Sequence, residues 1–204
     1  DENLTDNINS KYYSVQDFKA AIQSDSSFSI FHTNLNGLEN KFDELNNFIT
    51  STHTNLDLIC LTETSQKTDT NFNKNVNLQG YKNPFVLGSL SARGGVAIYT
   101  KNNLNIIERK DLTKVTTSFE SIWIEVANKK SKNILCNCSY RHPNSDIDEY
   151  ITYMNKCLAK INKENKDCYI SGDFNIDLLK TENNNKYNEF ICMMAVQGFL
   201  PHIL

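Results

Sequence analysis

Short apolar runs that read as strands alternate along this chain with segments of helical periodicity, and that alternation restricts the fold more than any single motif does. Phe28 to His32 reads as a strand, Phe42, Leu45, Phe48 and Ile49 as one face of a helix, and Leu56 to Leu61 as a second strand. Tyr81 to Leu87 is expected as an edge strand and Gly94 to Tyr99 as the next one. Ser121 to Val126 and Ile134 to Tyr140 are expected as a hairpin with a basic tip between them. Ile147, Tyr150, Ile151, Met154, Leu158 and Ile161 fall on one helical face, with Ser145 placed to cap it. Cys168 to Ile170 then leads into Ser171-Gly172-Asp173-Phe174-Asn175, and Tyr187 to Val196 reads as a last helix. Strands and helices that alternate in this way specify an α/β protein.

Composition narrows the class. A chain of 204 residues with 39% hydrophobic residues and mixed charges is long enough for one domain with a substantial core. No apolar run reaches the length of a spanning helix, so no membrane partner is expected, and the acidic start Asp1-Glu2 argues for an intracellular protein. The six cysteines lie in apolar runs or a helical pattern and read as reduced core residues; Cys136-x-Cys138 has no second pair at zinc-site spacing. A net charge of −3 gives no overall basic signature. Clustered carboxylates at a phosphodiesterase centre would lower the balance while local lysines and arginines still meet phosphate.

Four strand ends carry polar residues that the strands themselves do not require: Asn34 with Asn36, Glu63, Tyr140 with Arg141, and Asp173 with Asn175. Strand ends on one side of a sheet converge, so these residues are expected to share a site. This set, in this order, resembles the endonuclease/exonuclease/phosphatase family. Lys11-Tyr12-Tyr13, the segment from Phe28 to Asn34, the segment from Leu58 to Thr64, Gly94 to Tyr99 and Tyr140-Arg141 look most like the endonuclease domain of non-LTR retrotransposons.

The resemblance implies a four-layer α/β sandwich, two mixed β-sheets flanked by helices, spanning residues 27–204 after a polar leader with a short helix over residues 1–26. Family members finish on a strand bearing an Asp-His pair. Nothing here matches it, so the C-terminal strands are expected to be missing and the fragment to be inactive or very weak. His142 and His202 are not expected to replace that histidine, since neither follows a late strand beside an aspartate.

The resemblance also implies roles. Glu63 would be the principal metal ligand, with Asn34 beside it, for Mg²⁺ or Mn²⁺, cations that take oxygen ligands. Asp173 would orient or deprotonate the attacking water, Asn175 would hold the phosphate or that aspartate, and Tyr140 would donate to a phosphate oxygen. Asn36 is assigned a supporting part. Arg93 and Arg141 are either solvated surface residues or phosphate contacts, and their place next to site segments makes them substrate-binding candidates. The implied function is nicking of DNA within a retrotransposon-like polyprotein, with a reverse transcriptase downstream and a nuclear location for the whole element. Two other readings stand beside it, a phosphatase of inositol phosphates or lipid head groups and a non-catalytic nucleic-acid-binding module.

Overall fold

The computed structural model describes residues 11–24, 27–52, 55–67, 76–91, 93–129, 131–178 and 184–201. The first ten residues of the polar leader, residues 68–75, Lys130 at the hairpin tip, and His202 lie outside them. Two mixed sheets pack face to face with helices on both outer sides, in agreement with the expected sandwich.

The first sheet contains β1 (Ile30–Asn34), β2 (Leu58–Thr62), β3 (Phe85–Leu87) and β4 (Val96–Thr100), in the order β1-β2-β4-β3. β1 and β2 run parallel, in register Asn34 to Thr62, because helix α2 (Leu38–Thr52) makes the crossover between them. That helix buries Leu38, Leu45, Ile49 and Thr52, a stripe at helical spacing, on the outer face of the sheet against Ile59, Leu61, Ala97 and Tyr99. The short helix α1 (Val15–Ser24) docks on it, with Phe18 stacked on Phe48.

The second sheet is built on the long antiparallel pair β7 (Phe119–Ala127) and β8 (Ile134–Arg141). β5 (Asn105–Glu108) and β6 (Lys114–Val115) pair with β7 on one side, and β9 (Asp167–Asp173) runs parallel to β8 on the other. Helix α3 (Ile147–Glu164) is the β8-to-β9 crossover. Its cap is Asp146, whose side chain accepts from the Asp148 N–H, and not the expected Ser145. The Ser145 hydroxyl is instead held by the carbonyls of Ser118 and His142, which fixes the turn before the helix. Asn165 ends α3 in the left-handed conformation. Tyr150, Met154, Leu158 and Ile161 pack on the outer face of the second sheet, joined by Phe190 of α4 (Asn185–Val196).

Between the sheets, Leu58, Cys60, Val96 and Ile98 meet Ile122, Ile124, Val126, Cys136 and Cys138. The alternation of side chains along each strand produces this central layer, the inward residues of β2 being 58 and 60 and the outward ones 59 and 61. All six cysteines are free, and Cys192 is exposed on α4, not in the core as its apolar neighbours suggested. Among the described residues no helix is long and apolar enough to cross a membrane.

Candidate active site

Because β1 and β2 run parallel in one sheet and β8 and β9 run parallel in the other, four strand ends meet at one end of the sandwich. Asn34 closes β1, Glu63 follows β2, Tyr140 lies near the end of β8 and Asp173 closes β9. The Asn34 amide nitrogen donates to Glu63 Oε1 at 2.8 Å and to Asp173 Oδ2 at 3.0 Å, so one side chain joins the acids of the two sheets. Its oxygen accepts the Asn36 backbone N–H at 3.3 Å. Asn36 thus contributes through its backbone, turning the chain away after β1.

Three of the candidate residues hold left-handed backbone conformations: Asn36 at φ 50°, Glu63 at φ 52° and Asn175 at φ 49°. Such conformations cost about 1 kcal/mol or more for a non-glycine residue and persist where the surroundings impose them. At Glu63 the imposition is visible: its carbonyl accepts the Gly37 N–H at 2.7 Å, and the next two N–H groups, of Thr64 and Ser65, donate to the carbonyls of Gly95 and Gly94. The chain is thereby swung so that the carboxylate faces Asn34.

Tyr140 is buried; burial first, then the neighbouring Glu63 carboxylate, raises its ionisation above the ordinary tyrosine range. It therefore stays a protonated donor. Asp173 accepts the Asn175 backbone N–H on Oδ1 at 3.1 Å, and the Asn175 side chain donates to the Arg141 carbonyl at 2.6 Å.

Arg141 is placed differently from its expected phosphate-binding role. Only 4% exposed, it donates to the carbonyls of Phe174 at 2.7 Å and Asn175 at 2.6 Å, and also to the carbonyls of His142 and Ser145. Its guanidinium is a strut beneath the Asp173–Asn175 segment, and the physical reason is that it is buried where the carbonyls of Phe174 and Asn175 face its donors. Arg93 is exposed on the segment before Gly94, where its carbonyl accepts from the hydroxyls of Ser89 and Ser91.

Two histidines stand closer to this site than the sequence indicated. His32, two residues before Asn34 on β1, lies 3.2 Å from the Thr62 hydroxyl; burial lowers its basicity while nearby Asp173 acts in the opposite direction. Alternation along β1 carried that signal, since residues 32 and 34 share a face. His142 packs against Tyr140 with ring centroids 5.0 Å apart.

The residues that face one another are carboxylates, carboxamides and a phenol. An oxygen-rich set of this kind suits a hard divalent cation, which in nucleotide-processing sites is held by one or two carboxylates plus substrate oxygens. Among the described residues no three histidine, cysteine or acidic side chains gather closely enough to hold a metal unaided.

The comparisons concern the family and the fold. A model of the Endonuclease/Exonuclease/phosphatase family matches residues 31–189. No curated protein matches the sequence. Among solved structures, the AP endonuclease LMAP from Leishmania major superposes with a TM-score of 0.69 at 15% identity, over 93% of this chain and 76% of that one. The APE2 catalytic domain of Xenopus laevis gives 0.51 at 18% identity, over 81% and 67%. The 3′ phosphatase NExo from Neisseria, bound to product DNA hairpin, gives 0.50 at 12% identity, over 82% and 71%. At these identities the likeness is one of fold, and the family match covers all four strand ends of the site. The chain belongs to the endonuclease/exonuclease/phosphatase family, whose members hydrolyse phosphate esters.

Proposed function

We propose that this chain belongs to the endonuclease domain of a retrotransposon-like polyprotein, which nicks DNA by Mg²⁺-dependent hydrolysis of a phosphodiester. The observation that carries the reading is the Asn34 amide joining Glu63 to Asp173, which sets two carboxylates beside the Tyr140 hydroxyl. DNA as substrate is supported by the kinds of protein that share the fold, an AP endonuclease and a phosphatase bound to a DNA hairpin among them. The segments around Asn34, Glu63, Gly94 and Tyr140 support the retrotransposon setting, with a reverse transcriptase as covalent partner and a nuclear location.

Glu63 and the Asn34 carboxamide would hold Mg²⁺, or Mn²⁺ in its place. That ion supplies polarisation of a phosphate oxygen and neutralises charge that develops on it. Asp173, kept in place by Asn34 and by the Asn175 N–H, orients a water for in-line attack and takes its proton, while the P–O bond opposite the water breaks and the departing sugar oxygen takes a proton from solvent. Tyr140, protonated, donates to a non-bridging oxygen as negative charge grows there. Asn175 and Arg141 fix the segment that bears Asp173, Arg141 from beneath it.

Substrate class is tested by incubating the full-length protein with Mg²⁺ and either supercoiled plasmid or an inositol phosphate. Nicked circles without release of inorganic phosphate support the proposal. Phosphate release without nicking replaces it with the phosphatase reading.

A further inference from the structure

Directly opposite Tyr140 on β7 stands Glu120, and the turn after β8 folds His142 over this pair. Glu120 is fully buried, and the His142 side chain is 13% exposed. His142 Nε2 lies 2.9 Å from Glu120 Oε1, and its ring meets the Tyr140 ring edge-on at an interplanar angle of 78°. The second carboxylate oxygen, Oε2, is buried with no hydrogen-bond partner among the described residues. A half-satisfied carboxylate costs stability in a core position that an apolar residue would fill. Its place beside Tyr140 points to a role other than stability.

The surroundings indicate that role. A Cβ added to Gly94 would come 2.6 Å from His142 Cε1 and 3.0 Å from Glu120 Oε2, so the backbone of Gly94 presses on the pair. On its other side the same backbone accepts the Ser65 N–H at 2.8 Å, and that of Gly95 accepts the Thr64 N–H at 3.2 Å, the two residues that follow Glu63. The pair therefore abuts Tyr140 in one direction and, through two glycines, the Glu63 segment in the other.

We propose that Glu120 and His142 are positioning residues that aim the Tyr140 hydroxyl towards the Glu63 side of the site. The inference rests on Tyr140 serving the proposed phosphodiester hydrolysis. Neither residue touches substrate: Glu120 fixes the plane of the His142 ring, and that ring fixes one face of the phenol. The hydroxyl is then aimed before substrate arrives, so the ordering is complete before the chemical step.

The double variant Glu120→Leu/His142→Phe removes the pair while filling its volume, an exchange that often leaves stability unchanged or improved. In the full-length protein kcat is expected to fall about 10- to 100-fold with KM within about twofold, because binding is spared and aim is lost. Glu120→Gln keeps the acceptor and is expected to retain most of kcat. Independently of turnover, the Tyr140 ¹³Cζ resonance, which reports the surroundings of the phenol oxygen, should move in the double variant towards its position in Glu63→Ala and stay in place in Glu120→Gln. An unmoved resonance in the double variant overturns the proposal, as does an unchanged kcat in a wild-type background that turns over. If the wild type hydrolyses no phosphodiester, the functional reading fails, and the resonance alone decides the pair.

Discussion

Asn34 and Asp173 are 139 positions apart in the sequence and share a hydrogen bond of 3.0 Å, the amide nitrogen donating to Oδ2. β1 and β9 belong to different sheets, and this bond ties their ends together across the mouth of the sandwich. Its counterpart to Glu63 makes Asn34 the hinge of the site. Asn34→Ala is expected to lower the rate of hydrolysis about 100-fold, the range set by loss of an oriented base. Asn34 is exposed, so unfolding free energy should change by only about 0.5 kcal/mol. Kinetics paired with urea denaturation separate the two effects.

Arg141 should behave as a structural residue. Arg141→Met removes the guanidinium donors to the Phe174 and Asn175 carbonyls and is expected to cost about 3 kcal/mol of stability. The dependence of DNA binding on salt should keep its slope, because no phosphate contact is removed. A slope reduced by about one would return Arg141 to the substrate-binding set.

Gly172 sits at φ 146°, and a Cβ there would fall on the Ser139 carbonyl of the neighbouring strand. Backbone cannot yield as a flexible side chain would. Gly172→Ala is expected to destabilise by more than about 3 kcal/mol and to disturb Asp173, which follows it. Circular dichroism melts of the two proteins provide the check.

Far from the site, Arg109 donates to Asp111, Glu125 and Glu164 in a partly buried cluster. Its guanidinium, acting against burial, holds Glu164 below the ordinary glutamate value of 4.5. A depressed carboxylate adds stability that is present above its unfolded pKa and is lost as pH falls through the folded one. Arg109→Met should therefore be less stable than wild type at pH about 7, and the difference should narrow below pH about 4.5. Denaturation curves at several pH values measure it.

Much of this was legible in the sequence because period and chemistry coincided. Apolar runs gave β2, β4, β7, β8 and β9, and the stripe from Ile147 to Ile161 gave α3. β5 and β6 escaped notice: Asn105–Glu108 is largely exposed and Lys114–Val115 is two residues long, so neither carries an alternating pattern. Asn34, Glu63, Tyr140 and Asp173 could be named from their places at strand ends. The partners of Arg141 could not, since they are backbone carbonyls, which no residue type announces. Glu120 fell outside the strand expected from Ser121 onward, and its meaning depends on a register that only the paired strands reveal.

The most direct test of the account is plasmid nicking by the full-length protein in Mg²⁺, measured for wild type, Glu63→Ala and Asp173→Ala on identical preparations. Nicking by the wild type and loss of at least about 100-fold in each variant, with folding retained, is the expected result. Undiminished nicking in both variants would contradict it, since the two carboxylates joined by Asn34 would then have no part in the reaction.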